Sequence, residues 1–514
     1  MKEAVQNLIT RDRFRYSLVW EGVVIGLIAG GIISVFRWLL ILAEDGRNHL
    51  TAWMHGTTWT AAGAAADGST AGTLAELASM PVLPGRAAVC AGVLLAVLAV
   101  VTILLELEPE IAGSGIPQVE AELMGRKDMC WWKVVLCKLP GCAAAIGGGL
   151  ALGREGPSIQ LGAMTGKGFA RLRHRNLTEE RILISCGSGA GLSAAFGAPL
   201  AGALFALEEL HRNFSAEVLI ATMAAGAASE FVAANVFGFT PVFNFDVEDA
   251  IPFRYYWAVL VFGVLMGLFG RFYNRTIAWM QDGLDRAGAA FAAAAGKILR
   301  KNPYSATDAA RQTVFGRRAG RVGRMLVVLA AAWILMFRYP LALGSGSFLV
   351  AEISSGRFAL AALAVLLIIK FVFSTASFGS GSPGGIFLPL LVLGAVSGGV
   401  FTRLLGLAGM DQKYMTAFVV LGMAGYFAAI VHAPVTGVVL ITEMTGDFTS
   451  LLPLVLISLT AYVTAERCGG ERSTHSCCTA VWEASRRGGP GCCGNARPSS
   501  TRTSTPARIW TEGR

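Results

Sequence analysis

Gly153-Arg154-Glu155-Gly156-Pro157 sets two full charges inside a long run of apolar and small residues. Between Leu139 and Gly166 no other residue is charged. At membrane depth each such charge costs roughly 3 kcal/mol or more to bury, so both are expected to have a function. The glycines allow backbone to approach something small. Pro157 suits the first turn of a helix, where its missing N–H would have had no partner anyway. A carboxylate at the positive end of a helix is an anion in an anion site, and it competes there with a free anion. The stretch therefore reads as a gate.

The rest of the chain places that gate in a membrane. Of 514 residues, 54% are hydrophobic and 15% charged, against about 25% charged in an average soluble protein. Mean hydropathy is +0.56. Apolar runs near bilayer-spanning length recur at Leu18–Ala43, Ala87–Leu105, Val218–Phe237, Tyr255–Phe272, Met325–Leu343, Phe358–Phe373 and Phe387–Leu407. An all-α integral membrane protein with about ten or more helical segments is predicted. Its 62 glycines suit close helix packing in lipid.

Charge gives the topology. Met1–Arg15 is basic and polar, and the long run after it lacks the short core and cleavage site of a signal peptide. Leu18–Ala43 is predicted to be a retained helix with a cytoplasmic N-terminus. Lys127, Lys133, the Lys167–Arg181 loop and the Arg286–Arg324 stretch are predicted to share that side, and the Asp45–Pro84 loop to face outward. The net charge of +9 is then a topology signal, and no nucleic-acid motif accompanies it.

Ten cysteines divide in two. Cys90, Cys130, Cys137, Cys142 and Cys186 lie in or near apolar segments and read as small buried hydrophobes. Cys468, Cys477, Cys478, Cys492 and Cys493 crowd the end of the chain near His475, as adjacent pairs without the C-x-x-C spacing of a zinc site. From Arg467 to Arg514 the composition matches disorder, with Cys, Arg, Ser and Trp piled up as out-of-frame translation produces them.

Three more motifs carry chemistry. Gly113-Ser114-Gly115-Ile116-Pro117 places a hydroxyl between glycines at a helix entry. Gly379–Pro389, containing Gly384-Gly385-Ile386-Phe387, is a second glycine-rich entry into an apolar helix. Irregular backbone at membrane depth is tolerated where it lines a cavity, and such helix ends aim positive dipoles at an anion. Glu208-Glu209 ends the apolar run Gly202–Leu210. Each has a plainer reading. Gly-Ser-Gly alone is a loop, Gly384-Gly385 alone is helix packing, and Glu208-Glu209 fits the membrane surface. Lys370 reads as a lysine snorkelling to the interface.

Taken in order, G-S-G-I-P, G-R-E-G-P and G-G-I-F-x-P at Gly113, Gly153 and Gly384 resemble the three signature motifs of the CLC chloride channel and transporter family. Gly189–Glu209 and His432–Thr445 match as well, and the resemblance covers about Leu18 to Gly470, closest to prokaryotic proton-coupled members. It implies a CLC-type fold of two inverted-topology halves, near 18–246 and 253–465 of a transmembrane domain 1–466, whose broken helices meet at a central anion site. Too little chain follows Gly470 for regulatory nucleotide-binding domains. A homodimer in a bacterial inner membrane is implied, each subunit with its own anion pathway.

By the same resemblance, chloride is held by the Ser114 hydroxyl and the backbone N–H groups of Ile386 and Phe387. Gly113, Gly115, Gly156 and Gly385 shape that site. Glu155 is the gating glutamate and Glu209 the internal proton-transfer glutamate. Chloride is the bound substrate, with no cofactor and no metal, and neutral donors rather than a fixed cation hold it weakly enough to leave. Glu209 argues for chloride–proton antiport, and Ser114 argues against the fluoride-selective branch. Arg472 and Thr474 stand where many prokaryotic relatives carry Pro and an anion-contacting Tyr. A passive proton-gated chloride channel is the alternative on the same fold. A membrane-embedded enzyme using Glu155, Glu208 and Glu209 is the alternative of another class, without a His-Glu-x-x-His motif or a paired nucleophile to support it.

Overall fold

The computed structural model describes residues 2–56, 84–211, 215–239, 241–243, 251–298 and 306–469. The first long helix, α1 (Lys2–Met54), is followed by α2 (Pro84–Leu107), short α3 (Ile116–Leu123), α4 (Trp131–Gly147), α5 (Glu155–Leu172), α6 (Leu177–Phe196), short α7 (Pro199–Phe205) and α8 (Ala216–Phe237). Then come α9 (Tyr256–Ile298), α10 (Ala306–Arg338), short α11 (Ser347–Ser354), α12 (Leu360–Gly379), α13 (Phe387–Leu407), α14 (Met415–Val431), α15 (Pro434–Thr445) and α16 (Leu451–Arg467). Among the described residues, eight helical segments are long and apolar enough to cross a membrane. Seven contain or overlap the apolar runs read from the sequence. The eighth, Gln412–Val431, is the most enclosed, with 94% of its window buried.

Several segments differ from expectation. The predicted outward loop is helical at its start, because α1 continues to Met54. The basic stretch Lys167–Arg181 is two helix ends joined by a short turn, and Lys167 is fully buried. The α5 sequence stays compatible with helix to Leu172, and the Lys167 ammonium finds Glu122 and Asp128 beside it. Arg286–Arg324 is largely an extension of α9 and α10. The alanines of 287–295 favour helix there. The predicted tail, including Arg472, Thr474 and four of the cysteines, lies outside the described residues from Gly470 on. Cys90, Cys130, Cys142 and Cys186 are buried, Cys137 half-buried and Cys468 exposed.

The two halves repeat one another locally. A 3₁₀ turn (Pro109–Ile111), a Gly-Ser-Gly turn and an eight-residue helix α3 recur as Pro340–Ala342, Gly344–Gly346 and α11. Gly113 N–H donates to Gly381 O, and Gly344 N–H to Gly149 O. The carboxylate of Glu208, at the end of α7, accepts from the N–H of Thr436 at α15 (2.8 Å), and Glu443 of α15 accepts from Ala201 N–H at α7 (2.8 Å). Each short helix thus has its N-terminal donors satisfied by an acid from the other half. This pairing fixes how the halves meet.

Candidate anion pathway

The three glycine motifs converge on one bridge. Gly153 N–H donates to Gly385 O (2.6 Å) and Gly385 N–H to Gly153 O (2.7 Å), an isolated antiparallel pair. Gly384 N–H donates to Gly113 O (3.0 Å), which ties the Gly-Ser-Gly turn to the same spot. The bridge joins the glycine-rich segment before α5 to the one before α13. Directly after it, α5 starts at Glu155 and α13 at Phe387. Both helices present orphan N–H groups and positive dipole ends next to the bridge.

Glu155 is fully buried in the first turn of α5. Its two oxygens have no hydrogen-bond partner among the described residues, although the backbone amides of Glu155, Arg154 and Leu388 approach it. A Cβ built on Gly385 would lie 3.3 Å from Glu155 Oε2, and one on Gly153 would overlap that oxygen. The carboxylate therefore rests over the bridge, between the two helix ends. A buried carboxylate without full hydrogen bonds is costly when charged. It can be relieved by a proton or by moving away, which is the physical behaviour of a gate.

Ser114 is buried against the same junction. A Cβ on Gly156 would come within 2.8 Å of Ser114 Cβ and of its carbonyl oxygen, so glycine is required for the approach. Ser114 Oγ accepts from Ile116 N–H (3.3 Å), which leaves its hydroxyl proton available to an anion. Gly115 caps α3 in the left-handed conformation, φ 95°, which glycine adopts without strain. Ile386 and Phe387 are buried at the start of α13, and the Phe387 ring meets Phe205 and Phe427 edge-on.

Glu209 lies in a one-turn π-helix (Ala206–His211) packed against α3, the helix that Ser114 precedes. It is 2% exposed, whereas Glu208 is a cap for α15, also accepting from Thr436 Oγ1 (2.6 Å). Glu209 is therefore not a surface acid, while Glu208 is half-buried. A π-turn shifts register by one residue, which separates the two neighbours into different roles.

Two lysines depart from the sequence reading. Lys138, unweighted in the sequence, is fully buried in α4 and donates to Ile111 O and Gly113 O, both at 2.8 Å. Its signal was available: a lysine five residues further into the apolar helix 131–147 than Lys133, which lies near the helix start. Lys370 does not snorkel. It is fully buried and donates to Ala342 O (3.1 Å) and Gly344 O (2.8 Å), because those turn carbonyls have no helical partner. A fixed cation thus stands directly behind the Ser114 turn, facing carbonyls. Among the described residues, no group of three or more His, Cys, Asp or Glu side chains is arranged to hold a metal.

A family model described as voltage-gated chloride channel matches residues 92–466. The chain belongs to this chloride channel family. A curated member, the H(+)/Cl(-) exchange transporter ClcA of Vibrio vulnificus (strain YJ016), is 32% identical over 367 residues, 71% of this chain and 73% of that protein. ClcA of Vibrio parahaemolyticus is 29% identical over 480 residues and 91% of each chain. A solved slow cyanobacterial Cl-/H+ antiporter superposes with TM-score 0.75 at 24% identity, covering 91% of this chain and 99% of that one. A CLC-type fluoride/proton antiporter gives 0.62 at 17% identity, with 87% and 95% covered. The fold of this family member is accordingly the CLC fold, and it is a multi-pass membrane protein.

Proposed function

We propose that this chain is a secondary active antiporter that exchanges chloride for protons, with Glu155 as the gate both ions share. The observation that carries the proposal is the fully buried Glu155 carboxylate lying over the Gly153–Gly385 bridge between two helix N-termini. Chloride binds where helix ends and the Ser114 hydroxyl converge, held also by the N–H groups of Ile386 and Phe387. Charged Glu155 occupies the anion's place. Protonation neutralises it, so the side chain leaves and chloride enters. Glu209, buried in the π-turn that packs against α3, passes protons between Glu155 and the cytoplasm. The relatives named as H(+)/Cl(-) exchangers support antiport over passive conduction.

The subunit we infer has a transmembrane domain over 1–466, with halves near 18–246 and 253–465. It works as a homodimer in the bacterial inner membrane with a cytoplasmic N-terminus. Lys138 is a positioning residue: it fixes the carbonyls of the turn so that Ser114 faces the anion.

Glu155→Ala tests the gate. In chloride-loaded liposomes the variant is expected to keep anion flux and lose proton movement. Proton pumping at the wild-type rate in that variant would overturn the assignment.

A further inference from the structure

The pathway uses only one of two matching serine turns. Gly344-Ser345-Gly346 repeats Gly113-Ser114-Gly115, with a left-handed glycine before an eight-residue helix in each case. In each, a fully buried lysine donates to two turn carbonyls. Gly344 N–H donates to Gly149 O as Gly113 N–H does to Gly381 O, so Ser345 holds in the second half the place that Ser114 holds in the first.

The surroundings of Ser345 are cationic. Lys370 is fully buried, and Arg47 of α1 is 6% exposed. Arg47 donates to Ile146 O (3.4 Å) and to Asn48 Oδ1 (3.2 Å), and Lys370 to its two carbonyls, so neither is engaged with a carboxylate in these contacts. An ammonium has three donors, and two are used. One acid reaches the turn: Ser345 Oγ donates to Glu44 Oε1 at 3.0 Å. Glu44 is also within electrostatic reach of Arg47, Lys370 and Arg154, and Arg154 is in turn within reach of Glu155. A carboxylate on a serine hydroxyl, near a helix N-terminus and two buried cations, stands where a free anion would bind. Glu155 has the same relation to α5.

We propose that Ser345, Arg47 and Lys370, with the N-terminal N–H groups of α11, form a second anion site for a monovalent halide, and that the Glu44 carboxylate is its built-in occupant. The choice of halide rests on the exchange reading above. The site would store an anion at the second serine turn, and Glu44 would set how readily it fills.

Bromide is the probe, because its anomalous scattering locates it. Crystals of the full chain, wild type and Glu44→Gln, would be soaked in bromide. Glu44→Gln is expected to show density within hydrogen-bonding distance of Ser345 Oγ. Wild type should fill the same place only at bromide concentrations about tenfold higher, the cost of displacing the resident charge. Adding Ser345→Ala to Glu44→Gln should remove the new density. Ser345 left empty in Glu44→Gln, or in wild type at saturating bromide, while Ser114 is filled, would overturn the second site and leave the exchange reading intact. Bromide absent from Ser114 as well would count against the exchange reading itself.

Discussion

Gly113–Gly115 and Gly344–Gly346 are the same turn built twice, and the two copies have different neighbours. Behind each stands a buried lysine, Lys138 or Lys370, donating to the carbonyl of the first glycine. In front they diverge. Ser114 packs on Gly156, one residue from the Glu155 carboxylate, with no acid recorded on its hydroxyl. Ser345 donates to the Glu44 carboxylate. The helices that follow diverge too: α5 opens with Glu155 and α13, at the matching place, with Phe387. A repeated frame supplies two helix ends at one bridge. Single side chains decide which end titrates and which is sealed by an aromatic ring.

The sharpest way to break this comparison is at the reciprocal caps. Glu208 and Glu443 each cap a short helix of the other half. Glu209→Gln is expected to abolish chloride-driven proton movement while chloride flux stays within about threefold, a change small beside a lost proton path. Glu208→Gln and Glu443→Gln are each expected to keep coupling and to cost about 1 kcal/mol of stability, the usual price of a helix cap. Paired flux recording and thermal unfolding in detergent check both. Proton flux lost in Glu208→Gln and kept in Glu209→Gln would exchange the two roles.

A smaller effect separates the two lysines. Removing either takes a donor from two turn carbonyls, although Gly113 O keeps the Gly384 N–H, and a buried carbonyl left unpaired costs about 1–3 kcal/mol. Lys138→Met is expected in addition to weaken chloride binding about tenfold, because the Ser114 turn loses its backing. Lys370→Met should leave that affinity within about twofold, since it backs the Gly344–Gly346 turn and not the one that carries Ser114. Calorimetric chloride titration of both variants decides, and equal losses would show that the turns are not functionally distinct.

The smallest expected effect lies at the far corner of α3. Asp128, in the turn after α3, is engaged by Lys167 at 2.7 Å and by Arg171. Partial burial pushes its carboxyl up, and the Lys167 ammonium and the Arg171 guanidinium outweigh that and hold it below the ordinary value. A lowered folded-state value means stability that is full above the ordinary aspartate range and is lost as pH falls through the lowered value. In the second half, the matching corner is closed by Arg403 donating to Gly356 O, with no acid in that contact. Asp128→Asn is expected to flatten the acid limb of stability by about 1 kcal/mol or less, given its exposure. An unchanged pH profile of unfolding would contradict it.

Much of this frame was legible in the chain. Glu155 was conspicuous because charge inside an apolar run has few innocent explanations, and Ser114 because glycines flank it at a helix entry. The repeat was passed over, although Pro109 and Gly113-Ser114-Gly115 recur at the same spacing as Pro340 and Gly344-Ser345-Gly346, because the helix starts that follow, Ile116-Pro117 and Ser347-Phe348, share no residue type. Glu208 and Glu209 were inseparable in sequence, because a one-turn π-helix shifts their register and no local pattern announces it. Lys370 was misread because apolar flanks on a helix suit a snorkelling lysine as well as one that satisfies turn carbonyls. Only the fold brings Gly344 to it.

The central claim is that one buried carboxylate between two helix ends serves both ions. Its most direct test is simultaneous chloride and proton recording on the wild-type chain in sealed liposomes, with a chloride gradient and no initial pH gradient. Protons should move uphill, opposite in direction to chloride, and stop when the chloride gradient is collapsed. Chloride flux that dissipates the gradient while pH stays constant would contradict exchange and make the chain a passive channel.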